Sequence, residues 1–113
     1  MKKVVEVEKA HDVCERLYLS VRALAVGKED VRQRLGEMAF TLLPLRVEDF
    51  PAELQTEYES ISKLLHKHLS QQDNKTAVET TCEHMKNATG AAIAERIFEL
   101  YSNAMKIQGK PLI

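Results

Sequence analysis

The sequence predicts an all-α protein, a small antiparallel bundle of four to five helices, on three observations. Apolar residues recur at three- and four-residue intervals through most of the 113 positions, the period that gathers side chains on one face of a helix. Glycine (4), proline (3) and aromatic residues (3 Tyr, 3 Phe, no Trp) are scarce, which disfavours turn-rich sandwiches and barrels and leaves aliphatic side chains to build the core. In the clearest periodic segment, residues 51–70, acids gather at the start and bases at the end, as the helix dipole favours.

The first helix is expected at about residues 5–26. Val7, Ala10, Cys14, Leu17, Val21 and Leu24 follow a strict 3,4,3,4,3 spacing, an a/d seam, and Gly27 is the expected stop. Val4, Val5 and Val7 alternate loosely with Glu6 and Glu8, but a lone strand would have nothing to pair with, so this stretch is read as the frayed start of the helix. Leu17–Val26 is apolar nearly all round except for Ser20 and Arg22, so it needs cover on more than one side.

A second helix is expected at about 28–43, with Glu29 and Asp30 in its first turn and Val31, Leu35, Met38, Ala39 and Leu42 on its inner face. Pro44 ends it, and the segment to Phe50 is too punctuated to be helical. Pro51, with its fixed φ, opens a third helix at about 51–70, with Asp49 or Phe50 flanking its start. Its inner stripe is Leu54, Tyr58, Ile61, Leu65 and His68, and Glu59 and Lys63 form an i,i+4 pair.

Asp73 or Asn74 is the expected N-cap of a fourth helix, about 75–87, carrying Val78, Cys82 and Met85. A fifth, about 90–107, carries Ile93, Ile97, Leu100, Ala104 and Ile107. A kink or short break is expected near 87–90, because Gly90 weakens a helix and Thr89 is a fair N-cap. Residues 108–113 form a tail. The whole reads as one domain, 1–113, in which short loops lay sequential helices against each other.

Charge and composition narrow the function classes. The 16 Lys+Arg nearly cancel the 17 Asp+Glu, for a net charge of -1, so no excess announces nucleic acid, membrane or an acidic substrate. No apolar run approaches a membrane span, and the Val-Val-Glu-Val-Glu that follows Lys2 and Lys3 breaks any secretory signal. Two distant cysteines on apolar faces do not make a disulfide framework. The expected setting is a reducing cytoplasm, in which the Asn87-Ala88-Thr89 sequon is coincidental.

Motifs for chemistry are sparse. The four glycines are isolated, so nucleotide-cradling loops are absent. Glu8-Lys-Ala-His11 fits one half of a di-metal bundle site, but no second Glu-x-x-His exists. His66, His68, Cys82 and His84 are zinc-type ligands, yet each close pair is two residues apart, about 200° around a helix, and cannot face one ion. Cys14 and Cys82 lie on apolar stripes, where burial raises a thiol's pKa. The expectation is therefore a non-enzyme with no cofactor and no metal.

Nucleic-acid binding is disfavoured. The densest basic group, Lys28, Arg32 and Arg34, is interleaved with Glu29, Asp30 and Glu37, and a helix-turn-helix-like element near 76–106 would present Glu95, Arg96 and Glu99 to the groove. What remains is surplus apolar character at Leu17–Val26 and in the loop Leu43–Pro51. Leu17, Tyr18, Val21, Leu24, Leu45, Val47 and Phe50 are the candidate partner-binding residues. The reading is a non-catalytic protein-protein interaction or oligomerisation module, an accessory or regulatory subunit that self-associates. Two alternatives stand behind it: a nucleic-acid-binding regulator using the 76–106 element, and a helical-bundle metal-binding protein.

Overall fold

The computed structural model describes residues 2–67 and 75–109, with side chains from residue 11 onward. Among these residues it is all-α. The helices are α1 (Lys2–Val26), α2 (Val31–Leu42), α3 (Ala52–Leu65), α4 (Ala77–His84) and α5 (Asn87–Ile107), with a 3-10 turn at Val47–Asp49 between α2 and α3. No strand is present among the described residues, and the opening valines belong to α1.

α1 and α2 form a hairpin in which each helix supplies an arginine to the other's C-terminal end. Arg34 of α2 donates from Nη1 to the carbonyl of Leu24, and Arg16 of α1 donates from Nη1 to the carbonyl of Thr41 at 3.2 Å. Carbonyls in a last turn have no intrahelical partner and carry the negative end of the dipole, so a guanidinium there satisfies both needs. Gly27 ends α1 as expected, but without the left-handed backbone that usually favours glycine, since Gly109 is the one glycine with positive φ. Its role is steric. A Cβ at Gly27 would stand 2.7 Å from the Arg34 side chain and 2.9 Å from the Ala23 carbonyl oxygen.

The covered arc of α1 is broader than its a/d seam. Val13, Cys14, Leu17, Ser20 and Leu24 are all buried, while Val21 lies half-buried at the edge of the core. The arc is wide because α1 packs along two neighbours, α2 and α5. Ser20 is fully buried and donates its hydroxyl to the Arg16 carbonyl at 2.7 Å, so a small polar residue sits in the core without an unmet hydrogen bond.

The remaining elements correct several expected boundaries. α2 begins at Val31, not 28, because Asp30 is its N-cap: the carboxylate accepts from the backbone N–H of Arg32 and Gln33. The 44–50 segment is not devoid of helix. The N–H of Arg46 donates to the Asp49 carboxylate at 2.9 Å, closing the single 3-10 turn. α3 ends at Leu65, and His68 and the candidate caps Asp73 and Asn74 lie outside the described residues. The cap of α4 is Thr76, whose hydroxyl accepts from the N–H of Glu79 at 3.1 Å.

The break before α5 falls at Met85 and Lys86, both in extended backbone, and α5 already begins at Asn87. Gly90 is therefore an interior residue of α5 and not a hinge. It is buried against α2, where a Cβ would meet Val31 Cγ1 at 3.0 Å, Met85 Sδ at 3.4 Å and Leu35 Cδ1 at 3.5 Å. The glycine serves close helix approach.

Sequential neighbours do not all pack. α2 lies against α1, α4 and α5, and α5 lies against α1, α2 and α3. α2 and α5 thus form the centre, and α4 rests on α2 and α3 instead of folding back along α5. α4 spans eight residues and turns into α5 through two, and its Cys82 sulfur lies 4.0 Å from where a Cβ at Gly36 of α2 would stand. Between α3 and α5, Arg96 donates from Nε and Nη2 to the two carboxylate oxygens of Glu57 at 2.8 and 3.1 Å, and from Nη2 to Ser60 Oγ at 2.9 Å.

Candidate functional site

The seven expected partner-binding residues divide sharply. Leu17, Leu24, Leu45 and Phe50 are buried in the chain's own core, Val21 and Val47 are half-buried against it, and only Tyr18 is open, at 46% exposure. In the Leu43–Pro51 loop the apolar residues turn inward. Phe50 stacks on Tyr58 with ring centroids 4.1 Å apart, and the Tyr58 hydroxyl donates to the carbonyl of Leu42, the last residue of α2, at 3.2 Å and to the loop carbonyl of Leu45 at 2.6 Å. The loop is thus a plug for one end of the bundle, held by a buried polar anchor, and it leaves no apolar surplus there.

The outer surface holds large apolar residues, and the inner-face spacing flagged only one of them, Ile107. Leu19, Val26, Phe40, Phe98 and Ile107 are between 41% and 69% exposed. Ile107, expected on the inner stripe of α5, lies in the last turn beyond the packed partners. On α1, Glu15, Leu19, Arg22 and Val26 repeat at 4,3,4 spacing, all exposed. At 100° per residue they lie on the side away from Val13, Leu17, Ser20 and Leu24. α1 therefore carries a second heptad-like stripe on its outer face, half of it apolar. Tyr18 adjoins it at the α5 edge, its ring centroid 6.4 Å from that of Tyr101. The signal was present in the sequence as the seven-residue step from Leu19 to Val26, masked by the stronger inner seam.

A second concavity lies between α2 and α4. This open cleft of about 700 Å³ is walled by Glu29, Glu37, Glu79 and Glu83, with Phe40 at its rim and Cys82 at its floor. Three of its charges are already engaged: Glu83 pairs with Lys75 at 2.7 Å, and Asp30 and Arg32, which also line it, pair with each other at 3.1 Å. Burial, reinforced by neighbouring Glu83, pushes the Cys82 thiol up to about 11. That shift favours the protonated thiol at neutral pH.

The other chemical candidates are dispersed. His11, His66 and His84 are exposed, and the Nδ1 atoms of His66 and His84 lie 2.7 Å from the carbonyls of Ser62 and Thr80 one turn back. Among the described residues no group of three or more His, Cys, Asp or Glu is placed to hold a metal ion. The basic trio is split, with Arg32 paired to Asp30 and Arg34 turned onto the end of α1. In the 76–106 element, Arg96 is committed to Glu57, leaving the exposed Glu95 and Glu99. Among the described residues no helix is long and apolar enough to cross a membrane.

Compared with known proteins, the chain matches no family profile, no curated protein and no solved structure.

Proposed function

We propose that this chain is a non-catalytic protein-interaction module, an accessory or regulatory subunit that self-associates and works in a reducing cytoplasm. The observation that carries the reading is the apolar content of the outer α1 face. Leu19 and Val26 are exposed at 41% and 66% on a helix whose inner arc is already fully packed. Tyr18 continues the surface toward α5, where Phe98 is half exposed. Scattered exposed leucines are ordinary, but large apolar residues repeating along one helix face mark a contact surface.

The test is mass by light scattering across a concentration series. The expected result is a mass above 12.8 kDa that falls toward the monomer on dilution and on Leu19→Asp or Val26→Asp. Both positions are exposed, so these variants retain their helical circular dichroism. A strict monomer at every concentration would overturn self-association.

A further inference from the structure

We infer that the occupant of the outer α1 face is a second copy of the same helix, packed antiparallel about a two-fold axis level with Tyr18 and Leu19. This rests on the self-association reading above and adds to it the partner surface, its direction and its register.

The argument comes from two charges. Glu15 and Arg22 belong to the outer stripe and stand seven residues apart, two helical turns, on the same line of the helix. Both are exposed, and among the described residues neither takes part in an ion pair, although their neighbours do: Arg16 of the same helix pairs with Asp12 at 3.7 Å. Rotation by 180° about an axis midway between the levels of Glu15 and Arg22 brings Glu15 of one copy to Arg22 of the other, and the converse pair forms by symmetry. An isologous contact requires this reciprocity.

The apolar residues fit the same axis. Leu19 lies next to it and meets its own counterpart, Tyr18 flanks it on the α5 side, and Val26 of each copy reaches the level of His11 of the other. A parallel pairing would instead set Glu15 beside Glu15 and Arg22 beside Arg22, two like-charge contacts at the centre of an apolar strip. Charges in such positions fix the orientation of paired helices more than their strength.

The experiment uses the full chain and charge reversal at exposed positions. Glu15→Arg and Arg22→Glu, each alone, are expected to weaken the dimer about tenfold or more, as two ion pairs become two repulsions. The double variant Glu15→Arg/Arg22→Glu is expected to restore it. An equimolar mixture of the two single variants is expected to form a heterodimer, because one then presents two arginines and the other two glutamates. Circular dichroism checks that each variant is folded. A dimer that Leu19→Asp dissolves but charge reversal leaves unchanged would overturn the antiparallel arrangement while leaving self-association intact. A wild-type monomer would overturn both.

Discussion

The hydroxyl of Tyr58, on α3, lies 2.6 Å from the carbonyl oxygen of Leu45, in the loop that closes the end of the bundle. The Leu42 carbonyl is a second, longer acceptor at 3.2 Å. Tyr58 is 2% exposed, so these contacts replace water that cannot reach the site. Removing the hydroxyl takes away the donor to the Leu45 carbonyl, whereas the Leu42 carbonyl keeps the backbone N–H of Leu45 at 3.1 Å. Tyr58→Phe is therefore expected to lower the unfolding free energy by about 1–3 kcal/mol, measured by urea denaturation, with little change in helical signal because the ring still stacks on Phe50.

The same residue makes the fold sensitive to alkali. Burial, and secondarily the charge of Asp49, push the Tyr58 phenol up to about 12 from its ordinary 10.0, and burial pushes the Cys82 thiol up to about 11 from 9.0. Both groups have higher pKa values folded than unfolded, so the folded state holds protons that the unfolded state has released. Their contribution is complete below pH 9 and is lost as pH rises through 11 and 12. Thermal melting temperature should fall steeply across this window. Tyr58→Phe and Cys82→Ser should each flatten the alkaline limb relative to their own stability at pH 7.

Gly27 is expected to tolerate no side chain. The Cβ of an alanine would stand 2.9 Å from a backbone oxygen as well as 2.7 Å from Arg34, and the backbone cannot swing aside as a side chain can. Gly27→Ala should cost about 1–3 kcal/mol, against the gain of up to about 1 kcal/mol that the same change brings in an unhindered helix. Truncation of Arg34 to alanine in the same background should recover part of the loss, measured as a double-mutant cycle in denaturant.

The forked contact of Arg96 with Glu57 ties α3 to α5. Its partners keep partial solvent contact, which limits its worth to about 1 kcal/mol, weakened by added salt. The Glu57 side chain also holds the Arg96 guanidinium above its ordinary pKa. Arg96→Lys should recover little of what Arg96→Ala loses, since a lysine cannot span both carboxylate oxygens and Ser60. Chemical denaturation at low and high ionic strength separates the two contributions.

Much of the architecture was legible from spacing alone. Of the inner stripes expected for α2 and α3, Leu35, Met38, Ala39, Leu42, Leu54, Tyr58, Ile61 and Leu65 are buried and Val31 is half-buried, while His68 lies outside the described residues. The break between α4 and α5 was less legible. Glycine suggested a hinge at Gly90, but the extended residues are Met85 and Lys86, and the glycine is spent on close contact with Val31. A glycine's sequence cannot distinguish freedom of backbone from lack of bulk, because both follow from the missing Cβ.

The candidate site shows the same division. Period and composition by themselves determined an all-α chain and an excess of apolar residues near 17–26 and 43–51, because local periodicity reports which face of a helix avoids water. Which excess stays exposed was decided by tertiary structure. The 43–51 loop found Tyr58 to bond and stack against, so Leu45 and Phe50 went inside. α1 found neighbours on two sides, α2 and α5, and its outer line of Glu15, Leu19, Arg22 and Val26 stayed exposed. Whether a side chain is covered depends on the number of neighbours a helix acquires, a property of packing that no single segment encodes.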